Sequence, residues 1–302
     1  MRHSLTPLAL LCLLAACGPR IAPSPADEHA RHAADAPAAP GSAADADASL
    51  PPGASDAEAR LAASPRHGEW AMIPAGSADS VRAWVVYPER RDRAPVVLVV
   101  HEIFGLTHWI RAVADQLAAD GFIAVAPDLL SGKGVPAGPD GEPVRDAAVA
   151  AVRTLDTAEV ERRLDGAARY GMALPAALPR YGIVGFCWGG AASFQHAAHA
   201  PSLGASVVFY GTSPAVESLA SVQAPVLGLY GENDARVNAT IAPADSALRA
   251  RGRTFRAEIY PGAGHGFLRA QDGQEGANLA AARAAWPRTV AWLRTHLRAH
   301  SR

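Results

Sequence analysis

From residue 82 onward the chain alternates two hydrophobic rhythms. Residues 82–87 carry the pattern of a strand. Val96, Val97, Leu98, Val99 and Val100 form an unbroken apolar run. Such a run predicts a strand buried on both faces of a parallel sheet. Residues 108–120 then place Trp109, Ala112, Val113 and Leu117 at helical spacing, and Gly121 closes that helix. Residues 122–126 predict the next strand, and residues 144–152 and 156–171 predict helices. Further strands are predicted at 183–185, 205–210, 226–230 and 256–260. The C-terminal stretch from 278 repeats Leu279, Ala282, Trp286, Val290 and Leu293 as a helix, with Trp292 beside them. Strands alternating with helices imply an α/β fold: a mostly parallel sheet with helices on both faces. A loop rich in Gly and Pro at 131–145 is a plausible rim for a site.

The first 66 residues follow another pattern. Leu8, Leu10, Leu11, Leu13 and Leu14 make a short apolar run behind Arg2 and His3. The run is too short to span a bilayer and reads as a secretory signal. Its end, Leu14-Ala15-Ala16-Cys17-Gly18, resembles a bacterial lipoprotein signal. That resemblance implies removal of residues 1–16, lipid on the Cys17 thiol and a membrane partner through the anchor. The alternative is an ordinary signal peptide with an incidental cysteine, giving a secreted protein. Residues 17–66 are Ala, Pro, Ser, Asp and Gly, with few large apolar side chains. They predict a disordered tether, and leave residues 67–302 as one folded domain.

Composition narrows the chemistry. The 302 residues are 49% hydrophobic with a formal net charge of -1, which argues against a nucleic-acid partner. Three cysteines without paired spacing argue against a disulfide scaffold, and no ligand cluster suggests a metal or other cofactor.

One cysteine stands in a distinctive local sequence. Gly185-Phe186-Cys187-Trp188-Gly189-Gly190 follows a strand and opens a helix. This is the G-x-S-x-G nucleophile elbow with Cys in place of Ser. A helix N-terminus favours a thiolate, the reactive form of the thiol. The bland alternative is a small buried hydrophobe. Asp234 lies after the strand at 226–230, and His265 stands between glycines after the strand at 256–260. The order Cys187, Asp234, His265 is that of an α/β-hydrolase triad. His265 would move the proton and Asp234 would hold the ring. Taken singly, Asp234 could be a turn or cap residue.

With His101-Glu102-Ile103-Phe104-Gly105-Leu106, Ala126-Pro127-Asp128-Leu129 and Ala263-Gly264-His265-Gly266-Phe267, these residues resemble the dienelactone hydrolase family over about 70–298. The resemblance implies an α/β-hydrolase fold and cofactor-free cleavage of a small-molecule ester or lactone by Cys187, Asp234 and His265. It implies that Glu102 contacts the resting thiol and helps to activate it. Backbone N–H groups of Ile103 and Trp188 would then form the oxyanion hole. It implies further that Arg269 binds a substrate carboxylate and can pair with Glu102. Arg145 is the candidate for a second such arginine, against the alternative of a solvated loop charge. Arg111 and Asp128 fit the family pattern as structural residues. A lipid anchor would be a departure from the family's usual soluble form, and implies an enzyme of the cell envelope, at the outer membrane or periplasmic face. The competing readings are a catalytically idle envelope lipoprotein using the fold as a binding module, and a redox or metal role for the thiol.

Overall fold

The structure, a computed structural model, describes residues 47–298 together with Met1. Eight strands form one sheet: β1 (Gly68–Pro74), β2 (Ser80–Val86), β3 (Ala94–Val100), β4 (Ile123–Pro127), β5 (Ala177–Phe186), β6 (Ala205–Phe209), β7 (Val226–Gly231) and β8 (Phe255–Tyr260). Their spatial order is β1-β2-β4-β3-β5-β6-β7-β8. β1 pairs antiparallel with β2, and β2 antiparallel with β4. Every other pairing is parallel. The fold is therefore α/β, as the alternating patterns imply.

The unbroken apolar run of β3 is explained by two cores. Val97 and Val99 face one hydrophobic cluster, and Val96, Leu98 and Val100 face the other. This is the period-two alternation of a strand with both faces covered. The helices in chain order are α1 (Ala57–Ala62), α2 (His108–Ala119), α3 (Arg145–Val152), α4 (Thr157–Ala173), α5 (Trp188–His199), α6 (Ala235–Asn238), α7 (Ile241–Arg249) and α8 (Ala277–Leu297). Ile110, Val113 and Leu117 of α2 pack with Leu293 and Leu297 of α8 in the first core. Val160 and Leu164 of α4, Phe194 of α5 and Leu248 of α7 fill the second.

The strand order sets the location of a site. After β3 the chain crosses to β4 on one side, and β5 lies on the other side of β3. The sheet thus has a switch point beyond the carboxyl ends of β3 and β5, where α/β proteins place ligands. Glu102 follows β3 and Cys187 follows β5.

The tether expected through residue 66 ends earlier. Leu50 is 3% exposed and Ala57 1% exposed. The carbonyl of Pro52 accepts from Trp109 Nε1 at 3.0 Å, and that of Pro51 accepts from Gln271 Nε2 at 2.9 Å. Asp115 pairs with Arg66 Nε at 3.0 Å and accepts from Ser64 Oγ at 2.6 Å. Small residues lying close to the body expose their backbone to polar partners there. That mode of attachment leaves no hydrophobic periodicity to read. The signal segment and Cys17 lie outside the described residues.

Candidate active site

β5 runs straight into a forced turn. Cys187 has φ 55° and ψ -117°, a left-handed conformation that a non-glycine residue adopts only under constraint. Such strain costs about 1–3 kcal/mol and clusters at functional sites. Two bonds impose it: Cys187 N–H donates to Phe209 O at 3.0 Å, and Cys187 O accepts from Ala191 N at 3.1 Å. The neighbouring glycines follow from space. A Cβ on Gly185 would stand 1.9 Å from Gly189 O, and one on Gly189 would stand 2.3 Å from His101 O. The elbow therefore presses the start of α5 against the end of β3. Cys187 is 7% exposed at the N-terminal end of α5.

Asp234 and His265 arrive on adjoining strand ends. Past β7, Glu232 N–H donates to Tyr260 O at 3.0 Å and Asn233 N–H to Ala263 O at 2.9 Å. These bonds stitch the β7 turn to the loop after β8. His265 Nδ1 lies 2.5 Å from Asp234 Oδ2, and Asp234 is 4% exposed. A carboxylate can only accept, so Nδ1 carries the proton and Nε2 is left for the thiol. Burial alone would depress the His265 pKa. The negative charge of Cys187 and hydrogen bonds to Asp234 and Cys187 outweigh it and raise the value to about 10.

Glu102 is 4% exposed, and burial raises its pKa against the opposing charges of Arg269, His265 and Arg145. Its Oε2 lies 3.1 Å from Arg269 Nε. This is one of the two pairings implied for Glu102, the one with Arg269. A guanidinium neutralises a buried carboxylate better than a thiol does. Arg145 is brought to the same place. Its guanidinium stands 3.9 Å above the Phe104 ring, and that of Arg269 stands 5.4 Å from the same ring. The loop at 131–145 explains this delivery. Gly138 N–H donates to Glu142 O at 2.7 Å, and Glu142 Oε1 lies 2.8 Å from His108 Nδ1. The loop is pinned to the start of α2, so Arg145, the first residue of α3, is held above Phe104.

Ile103 follows Glu102 and is 4% exposed. Trp188 is the first residue of α5, so its N–H has no intrahelical acceptor. Its ring stacks on His101 with centroids 5.7 Å apart. His101 is fully buried, with Nδ1 2.6 Å from Glu102 O and Nε2 accepting from Leu129 N–H at 3.1 Å. These partners fix Nδ1 as the protonated nitrogen, and burial lowers the pKa of the ring. His101 thus ties the β3 end to the turn after β4. Asp128 caps that turn, accepting from Leu130 N–H at 3.0 Å. Arg111 lies 5.6 Å from the Trp70 and Trp84 rings.

Three residues at the site escaped sequence reasoning as functional: His101, Phe104 and Tyr210. The first two stand in the motif around Glu102, with no local spacing that joins them to a partner. Tyr210 reads as the end of a buried strand. In the structure it is fully buried, has φ 41° and sets its ring 5.1 Å from that of His265.

Similarity to known proteins gives the family. The family model described as "Dienelactone hydrolase family" matches residues 81–297. A Salmonella typhimurium protein named "Putative carboxymethylenebutenolidase" is 34% identical over 226 residues, which cover 71% of this chain and 82% of the relative. A Bradyrhizobium protein named "Probable 2-oxo-3-(5-oxofuran-2-ylidene)propanoate lactonase" is 32% identical over 234 residues, covering 72% of this chain and 91% of the relative. The crystal structure of a "Putative Dienelactone Hydrolase" from Klebsiella pneumoniae superposes with a TM-score of 0.66 at 32% identity, covering 75% of this chain and 98% of that one. With the sheet, the elbow and the matched span in agreement, the chain belongs to the dienelactone hydrolase family.

Proposed function

We propose that this protein hydrolyses a carboxylic ester or lactone through a covalent thioester on Cys187. The observation that carries the reading is the His265–Asp234 pair at 2.5 Å together with a cysteine held at a strained elbow. The Cys187 thiolate attacks the carbonyl carbon. The oxygen becomes an oxyanion and takes hydrogen bonds from the N–H groups of Ile103 and Trp188. The His265 imidazolium gives its Nε2 proton to the departing alkoxide, and a thioester remains. Water then enters, loses a proton to the now neutral His265 and attacks the thioester. Thiolate leaves as the second tetrahedral intermediate collapses, and the acid is released. Asp234 holds the Nδ1 proton throughout.

The guanidinium groups of Arg145 and Arg269 around Phe104 support a substrate that bears its own carboxylate. The names of these relatives describe lactone-opening enzymes, which fits that class. Purified protein is expected to release p-nitrophenol from p-nitrophenyl acetate and to open small lactones, and Cys187→Ala to lose about 10⁴-fold or more in turnover. Equal rates in the two proteins would remove Cys187 from the mechanism. We propose also that Cys17 is lipidated and holds the enzyme at the cell envelope. Radiolabelled palmitate should enter the wild-type chain and not Cys17→Ala; equal labelling would end that proposal.

A further inference from the structure

Residues 50–54 run as a strap between the supports of two arginines. Leu50, Pro51, Pro52 and Gly53 are all buried. Pro51 and Pro52 have no N–H and a fixed φ, so the strap offers carbonyls on a stiff backbone. Both carbonyls are taken. Pro52 O accepts from Trp109 Nε1 at 3.0 Å, and Pro51 O accepts from Gln271 Nε2 at 2.9 Å. Ala54 N–H then donates to Arg269 O at 2.9 Å. The approach is close: a Cβ on Gly53 would stand 3.5 Å from that same carbonyl.

Each of the two elements joined in this way brings a guanidinium to Phe104. Trp109 follows His108, whose Nδ1 holds Glu142 and with it the loop that delivers Arg145. Arg269 and Gln271 belong to the turn after His265, and Arg269 reaches the same Phe104 ring. That turn is fastened separately near the histidine. Asn278 Oδ1 accepts from Gly264 N–H at 2.9 Å, and His265 Nδ1 is held by Asp234. Loss of the strap bond would therefore loosen Arg269 more than His265. The strap lies ahead of residues 81–297, the span matched to the family.

We propose that residues 50–54 are a positioning strap: they set the spacing of Arg145 and Arg269 and so fit the site to a substrate that bears a carboxylate. This role rests on the hydrolase reading above and adds to it a specificity element outside the triad. Two guanidinium groups act on one carboxylate only where their separation is held. A neutral ester makes no such demand and should be indifferent to the strap.

Ala54→Pro removes the N–H that reaches Arg269 O. Ala54 opens a short 3-10 helix and Gly53 before it is extended, φ -65° and ψ 168°, so the backbone accepts proline there. With p-nitrophenyl hydrogen succinate, KM is expected to rise about tenfold while kcat stays within about twofold. With p-nitrophenyl butyrate, which shares the leaving group, both constants should stay within about twofold. Gln271→Met removes the donor to Pro51 O and should act in the same direction, which keeps the test decisive if Ala54→Pro fails to fold. A merely structural strap would cost both esters alike; that result, or no loss on the succinate, would overturn the proposal. Calorimetric titration with monomethyl succinate needs no turnover. Wild type should bind it about tenfold more tightly than Ala54→Pro, and equal or absent affinities would overturn the role of the strap. A wild type inert toward both esters, yet binding monomethyl succinate more tightly than the variant, would count against the hydrolase reading and support the strap.

Discussion

Helix α5 carries a histidine–carboxylate pair at each end, and the two pairs differ in what surrounds them. At its N-terminus, Cys187 meets His265, which lies 2.5 Å from Asp234. In its last turn, His196 Nδ1 lies 2.6 Å from Glu161 Oε2, and Tyr181 hydroxyl stands 3.1 Å from His196 Nε2. Burial raises the Tyr181 pKa to about 12, so its hydroxyl stays protonated and can donate to His196 Nε2. Both nitrogens of His196 are then committed, one donating to Glu161 and one accepting from Tyr181. His265 has one nitrogen committed to Asp234 and turns the other to a thiol. The lesson is that a short histidine–carboxylate contact does not make a catalyst. The first pair sits beyond the carboxyl ends of the strands, at the N-terminal pole of a helix, where an anion is favoured. The second is closed inside the packing between α4, α5 and β5, where it is part of the frame.

Exchanging the carboxylates for amides should break the comparison most sharply. Asp234→Asn keeps the shape but removes the charge that orients and stabilises the imidazolium. Turnover is expected to fall about 10²–10⁴-fold. Glu161→Gln makes the same chemical change at the other end of the helix, and kcat should stay within about twofold. Ester hydrolysis by both variants, normalised to folded protein, decides the matter. Comparable losses would mean that the two pairs act as one system.

The next effect is on stability, and the ranking inverts. His196→Ala deletes a ring with 0% exposure and leaves Glu161 buried without its partner. The expected cost is about 3–5 kcal/mol, or roughly 2–4 °C of midpoint per kcal/mol for a domain of this size. His265→Ala removes a partly accessible ring at a site that already holds strain, and should cost less. Urea melts of the two variants test this order. A larger loss in His265→Ala would mean that the catalytic pair is also the frame.

The two ends were not equally legible in the sequence. Cys187 and Asp234 follow strands that are read easily, because β5 and β7 carry apolar runs; His265 follows the polar edge strand β8 and is marked by its flanking glycines and by the chain order. Glu102 is legible, like Cys187, by the apolar run before it. His196 sits at a helical position among alanines and reads as a surface or packing residue; its partner Glu161 belongs to another helix, and no local spacing joins them. Arg145 was open in the sequence because loop length hides where a loop ends in space. In the structure Glu142 anchors that loop on His108. β1 was not read, since edge pairing leaves Trp70 and Met72 exposed and Ile73 as its one fully buried apolar side chain. Tyr210 shows the same limit at the site itself. Nothing in a strand-ending Tyr announces a left-handed backbone or a ring set edge-on against His265.

The smallest effect is a titration, and it isolates the ingredient that the His196 cluster lacks. The charge of Cys187 is the leading cause that raises His265 above its ordinary range. A raised pKa means that the folded protein binds the proton more tightly than the unfolded chain does. The resulting stability is fully present below the ordinary histidine value of about 6.5, and is lost as pH rises through about 10. Imidazole carbon-13 shifts of His265 should therefore turn near pH 10 in the wild type. In Cys187→Ser the hydroxyl stays neutral, the Asp234 contact remains, and the midpoint should move down. An unchanged midpoint would assign the raised value to Asp234 alone. The two ends of α5 would then differ in their thiol and not in the physics of their histidines.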